Sequence, residues 1–261
     1  MKAESQSAVE STNAESAATE CEVQAMRLML MSKLLSYPGP QTAQVVAELV
    51  VAASLRGASG NVVTNDALSD ALVALAGATQ PLSAGDEAFA AFRSEYIDLF
   101  DRGQAKASLY ETEYGQPLSK GNKLADLSGF YEAFGFAFSA VQGEMLDHVA
   151  VELEFYALLL IKHAALLGKD DSEGCEIVLD ARRKFFDAHL GSFLCTLAEQ
   201  PGLQEHSMLD PVVRVAKALA DEEAQVLGLS SFTADIMRLG PPEPETMACA
   251  VNSSGRLPVL N

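Results

Sequence analysis

The sequence predicts an all-α protein: a single globular bundle of about eight helices with disordered N- and C-terminal tails. Three observations carry this. Between the tails, apolar residues recur at helical spacing in one segment after another. No segment sustains apolar–polar alternation with β-branched residues, so no sheet is expected. Neither a repeat of fixed period nor a sustained run of heptads is present, so the helices are expected to pack as a globular bundle.

Taken in order, residues 1–20 are rich in Ala, Ser, Glu and Thr and nearly free of large apolar side chains. They read as a disordered acidic tail. The helical domain is expected over 21–230. Its first helix, "ECEVQAMRLMLMSKLLSYPGP", stops at Pro38-Gly39-Pro40, and its second, "QTAQVVAELVVAASLRG", stops at Gly57. A third, "TNDALSDALVALAGATQP", opens with cap-type residues and ends before Pro81. In the fourth, "SAGDEAFAAFRSEYIDLFDRG", Phe89, Phe92, Tyr96, Leu99 and Phe100 share one face. After a loop, "KGNKLADLSGFYEAFGF" forms a fifth, ending near Gly135. The sixth, "GEMLDHVAVELEFYALLLIKHA", carries Val149, Leu153, Tyr156, Leu160, Ala164 and Leu167 as one stripe, with Val151, Phe155, Leu158 and Ile161 on other faces. A helix apolar nearly all round is buried among its neighbours. A long amphipathic helix follows in "SEGCEIVLDARRKFFDAHLGSFLCTLAEQPG". The last, "MLDPVVRVAKALADEEAQVLGL", places Asp210 and Pro211 as an N-cap and first-turn pair. Residues 231–261 hold clustered prolines without periodicity and read as a C-terminal tail.

Composition narrows the function. The formal net charge is -18, from 36 acidic against 18 basic residues. Such a surface repels nucleic acid and anionic lipid and favours a basic partner. The four cysteines, at 21, 175, 195 and 249, form no C-x-x-C pair, which points to free thiols in a reducing compartment. The polar, acidic N-terminus is unlike a secretory signal. The longest later apolar run, "FYALLLI", is far shorter than a membrane span. A cytoplasmic, soluble protein is expected.

The polar residues at the front of the sixth helix need a reason, because an unpaired buried charge is costly. Glu144, His148 and Glu152 stand at i, i+4 and i+8, one row if the helix starts early. Asp147 is well placed as an N-cap. Three readings compete: a metal site, an acid/base pair, or a polar notch for something basic. A metal-dependent helical enzyme would use Glu144, His148 and Glu152. Against it, none of the four histidines (148, 163, 189 and 206) sits in E-x-x-H or H-E-x-x-H, so a second ligand set is missing and no metal or cofactor is expected. No G-x-S-x-G, G-x-G-x-x-G or P-loop is present, so no catalytic residue is nominated. His163 reads as a satisfied core or boundary histidine. A second patch, "SLYETEYGQP", puts Tyr110, Glu111, Glu113 and Tyr114 in a short loop, a composition suited to a basic or amphipathic peptide. A helical adaptor for some other protein is a further alternative.

"EMLDHVAVELEFYALLL" resembles the signature of the TorD/DmsD/NarJ family of redox-enzyme maturation chaperones. Asp147, His148, Glu152, Leu153 and Phe155 match it; Leu146 stands where a proline is usual. "SEYIDLF" is similar to the family's Tyr-x-x-Leu-Phe helix end, and "LYETEYG" to the loop of the branch serving dimethylsulfide, chlorate, selenate and ethylbenzene oxidoreductases. "FFDAHLGSFLCTL" resembles a later family helix, with Phe193 where Trp is common. The resemblance covers about residues 22–230. It implies an all-helical, non-enzymatic chaperone that binds the apo catalytic subunit of a molybdopterin oxidoreductase, often at its twin-arginine leader. Such a chaperone holds its client back from export until the molybdenum cofactor is inserted, and is absent from the finished complex. It implies a monomer or a helix-swapped dimer. On this reading Asp147, Glu152, Glu111 and Glu113 pair the arginines, with His148 and Glu144 beside them. Tyr110, Tyr114 and Phe155 meet the apolar part of the leader.

Overall fold

The computed structural model describes residues 2–39, 42, 66–101, 106–116, 119–136 and 145–234. They form α1 (Lys2–Leu35), α2 (Asp66–Thr79), α3 (Asp86–Tyr96), α4 (Lys120–Ala133), α5 (Val149–Leu167), α6 (Ser172–Phe185), α7 (Gly191–Ala198) and α8 (Leu209–Leu227). Among the described residues there is no strand, and an isolated antiparallel bridge joins Tyr110 to His148. The all-α expectation holds. The second expected helix lies outside the described residues apart from Thr42, as does the C-terminal tail beyond residue 234.

One boundary is corrected. The expected N-terminal tail is the first part of α1, which begins at Lys2. Ala and Glu are strong helix formers, so a segment without large apolar side chains can still be helical. What it lacks is a core face: among the described residues, α1 contributes buried apolar side chains from Val23 onward. A second correction concerns α8, which starts at Leu209. Asp210 therefore lies in its first turn and pairs with Arg214 at 2.7 Å instead of capping.

Helix α5 is the axis of the bundle. It is buried from Val149 to Leu153 and again at Phe155, Tyr156, Ala157, Leu159, Leu160 and Ala164. Helix α1 lies along it, α6 packs on another side, and α8 joins α1, α2 and α7. An aromatic cluster locks α4 and α6 onto α5: Tyr131 and Phe185 each lie 4.8 Å from the Phe155 ring centre. The long helix expected after α5 is interrupted. Residues Phe186–Leu190 widen into a π-helical turn between α6 and α7, and such turns re-aim side chains. After α8 the chain folds back. Phe232 rests on Phe186, with ring centres 5.6 Å apart, and covers Gly191, where a Cβ would come within 2.5 Å of its ring. No helix among the described residues is long and apolar enough to cross a membrane.

Candidate functional site

The loop 106–116 and the start of α5 form one joint. The loop runs antiparallel to residues 146–149: the Glu111 amide donates to the Asp147 carbonyl at 2.9 Å, and the Val149 amide to the Leu109 carbonyl at 2.8 Å. Tyr114 closes the loop on itself, donating its hydroxyl to the Ser108 carbonyl at 3.0 Å and accepting from the Ser108 amide at 2.7 Å. The Asp147 carboxylate accepts from the Thr112 hydroxyl at 2.5 Å and from the Thr112 amide at 3.4 Å. That contact displaces it from the expected cap. The N-cap of α5 is His148, whose Nδ1 accepts from the Ala150 amide at 3.1 Å. Burial pushes the His148 imidazole down to about 4, so it is neutral, as an accepting Nδ1 requires. Its ring meets Tyr110 edge-on, 5.1 Å between centres.

Three carboxyl groups meet beneath this joint. Glu111 is buried, with Oε2 3.0 Å from His189 Nδ1 and Oε1 2.8 Å from Lys123 Nζ. Burial raises its pKa, but His189 and Lys123 together hold it below the usual carboxylate range. His189 Nε2 reaches Asp126 at 3.1 Å, and that carboxylate is solvent-exposed. Glu152 is 0% exposed, and neither carboxyl oxygen has a hydrogen-bond partner among the described residues. Its pKa lies well above the usual carboxylate range, because of burial first and then the negative charges of Glu111 and Asp147, with Lys123 opposing them. Burial thus favours the neutral form of Glu152. Tyr131 roofs the cluster and donates to the Leu146 carbonyl at 2.9 Å.

The nominated residues thus converge, but not as an open recess. Asp147, His148, Glu152, Glu111, Tyr114 and Phe155 are buried, and Tyr110 and Glu113 are half-buried. In this conformation the loop covers Asp147, Glu152 and Glu111, and Lys123 and His189 already occupy Glu111. Phe155 belongs to the aromatic core. Glu144 lies outside the described residues. Among the described residues no group of three or more His, Cys, Asp or Glu side chains could hold a metal ion. The face open to solvent is a groove of about 540 Å³ lined by Asn122, Lys123, Ala125, Asp126, Ala188 and His189, with Glu111 behind Lys123 and His189. Lys123, Asp126, His189 and Thr112 were not nominated from the sequence. The available hint was the His-Leu pair in "FFDAHLGSFLCTL", which holds His189 in the π-helical turn.

One turn further along α5 lies a second polar cluster. The Tyr156 hydroxyl donates to Glu223, which also accepts from Arg182 Nη2 at 2.5 Å. Arg182 Nη1 faces His163 Nδ1 at 2.6 Å and Cys21 Sγ at 3.7 Å. Burial, and then the Arg182 charge, lower the pKa of His163, consistent with an Nδ1 that accepts from the guanidinium.

A helical bundle with an acid-rich joint fits the class that the sequence resembles. Residues 64–199 match the nitrate reductase delta subunit family, and the chain belongs to that family, which takes in the TorD/NarJ-like proteins. A stretch of 104 residues is 38% identical to the selenate reductase assembly chaperone protein of Thauera selenatis. Another alignment of 104 residues is 36% identical to the chlorate reductase assembly chaperone protein of Ideonella dechloratans. Each covers 39% of this chain and 52% of the relative, so the match spans about half the length of these curated relatives. No solved structure matches.

Proposed function

We propose that this protein is a cytoplasmic, system-specific assembly chaperone, not an enzyme. It binds the apo catalytic subunit of a molybdopterin oxidoreductase, its twin-arginine leader, or both, assists molybdenum-cofactor insertion before export, and leaves the finished complex. The observation that carries this reading is the likeness to two proteins named as reductase assembly chaperones, within a shared family. The helical body over 21–230 is the binding unit.

The joint gives the reading a physical form. A basic client group meets Asp126 first, at the rim of the groove, and then competes with Lys123 for Glu111. Tyr110 and Glu113 flank the approach, while Asp147, His148, Glu152, Tyr114 and Phe155 set the loop and the helix start beneath it. Glu144 belongs to the segment leading into this joint. Charge-assisted pairs of arginine with carboxylate are strong when formed. At a wet rim they are worth only about 1 kcal/mol each, which suits a chaperone that must release its client.

Affinity purification of the tagged chain from its native cells tests this. The expected companion is a molybdopterin oxidoreductase catalytic subunit lacking its cofactor; recovery of an unrelated protein instead would favour the helical-adaptor alternative. Asp126→Lys is expected to weaken client binding roughly tenfold, about 1.4 kcal/mol, with the helical circular dichroism unchanged. Undiminished binding would move the contact away from this groove.

A further inference from the structure

We infer that the joint is a proton-operated latch: a proton held on Glu152 keeps the 106–116 loop closed over α5, and its loss opens the loop and uncovers the carboxylates of Glu111 and Asp147. The inference deepens the chaperone reading and rests on it for the identity of the cation that finally meets those carboxylates. The latch itself rests on the burial of Glu152 beside two further acids and on the contacts that hold the loop.

Glu152 is fully buried, with no hydrogen-bond partner among the described residues for either oxygen. An ionised carboxylate cannot persist there without a counter-charge. The groups around it supply none that is uncommitted. From the loop comes Glu111, and from the residues before α5 come Asp147 and His148. The two acids repel a third charge, and His148 spends Nδ1 on the Ala150 amide. From α4 come Lys123, already on Glu111, and Tyr131, already on the Leu146 carbonyl. From the π-helical turn comes His189, held between Glu111 and Asp126. The proton on Glu152 is therefore what lets three acids share one site.

The cluster also has a link to water. Glu111, His189 and exposed Asp126 form a chain of contacts at 3.0 and 3.1 Å. An imidazole between two carboxylates can pass a proton from one nitrogen to the other. When the Glu152 O–H bond breaks, the proton passes to water that the loosening loop admits and the electron pair stays on the carboxylate. Three negative charges then face Lys123 and His189. The strain falls on the loop, which is held by the Glu111 and Val149 amide bonds and the Thr112–Asp147 contacts. Opening there would expose the acids that a basic partner needs. This reconciles a nominated binding motif with its burial at rest.

The test uses the purified full chain with no client. Infrared spectroscopy at neutral pH is expected to show a protonated carboxylic acid band that is missing in Glu152→Gln. As the pH is raised, that band should fade, because burial lifts the pKa of Glu152 well above the usual carboxylate range. Over the same rise in pH, hydrogen exchange at the Glu111 and Val149 amides, corrected for intrinsic base catalysis, should rise at least roughly tenfold. In Glu152→Gln the corrected exchange should stay flat. Absence of the band in the unaltered protein, or an equal rise in Glu152→Gln, overturns the latch. If Glu152→Gln does not fold, the unaltered protein still decides, because band loss and loop exchange must follow one titration. Failure of client co-purification would leave these signals untouched, and failure of the latch would leave co-purification intact.

Discussion

Glu152 and Tyr156 sit one turn apart on the same buried face of α5, yet their surroundings differ. Around Tyr156, each charge has an opposite: Glu223 receives the phenol and the Arg182 guanidinium, and Arg182 in turn donates toward His163 and Cys21. Around Glu152 there is a surplus of acids and a carboxyl with no partner among the described residues. A charge-balanced polar cluster, in which Arg182 Nε alone of the guanidinium nitrogens lacks a partner among the described residues, fastens α5 to α1, α6 and α8. An unsatisfied, unbalanced one is held together only while a proton is present. The contrast separates a structural polar cluster from one poised to change, since buried polar groups are normally paired.

The largest expected effect breaks the balanced side. Glu223→Ala leaves the Arg182 guanidinium buried and unpaired, and should cost about 3–5 kcal/mol in urea unfolding. The double variant Arg182→Met with Glu223→Met should recover most of that loss, because an apolar pair of similar volume needs no counter-charge. A single variant costing less than about 1 kcal/mol would mean that the pair is wet, and the comparison would fail. The unbalanced side should respond with the opposite sign. Glu152→Met removes an unpartnered polar group at similar volume and should stabilise the protein by about 1–3 kcal/mol at neutral pH. Destabilisation there would show that Glu152 has a hydrogen-bond partner in solution.

Much of the fold was legible because helical periodicity is a local signal. The apolar circumference of α5 placed it at the centre before any coordinates, and Phe89, Phe92 and Tyr96 drew the face of α3. The site was legible as a set of residues and not as a geometry. Asp147 looked like the cap because Asp is a good cap; its carboxylate is taken by Thr112, thirty-five positions earlier in the chain, a contact that no local pattern encodes. Likewise, "YETEY" shows two acids and two tyrosines, but not that the loop will fold across α5 and bury Glu111 and Tyr114. His189 was hidden by the π-helical turn, which shifts its register relative to an unbroken helix. The tail misreading has the same root: a missing core face was taken for a missing helix.

The finest test lies within the joint, where two buried groups act on stability in opposite directions. His148 is pushed from its usual 6.5 to about 4. Below 6.5 the unfolded chain takes up a proton that the folded one refuses until about 4, so this group alone makes stability fall as pH falls. Glu152 has a raised pKa, so above its ordinary 4.5 the folded chain keeps a proton that the unfolded one releases. That group alone makes stability fall as pH rises. Between 4.5 and 6.5 both are active, each with a slope of up to about 1.4 kcal/mol per pH unit. Their contributions oppose each other in the unaltered protein. Glu111, whose pKa is lowered, acts only below 4.5 and stays out of this window. His148→Asn keeps a capping acceptor and removes one slope; relative to the unaltered protein, its stability should decline as pH rises through the window. Glu152→Gln removes the other, and its relative stability should decline as pH falls. Urea midpoints at several pH values measure both. Parallel profiles for the two variants would mean that neither group titrates in isolation, and would dissolve the distinction between the two ends of this helical face.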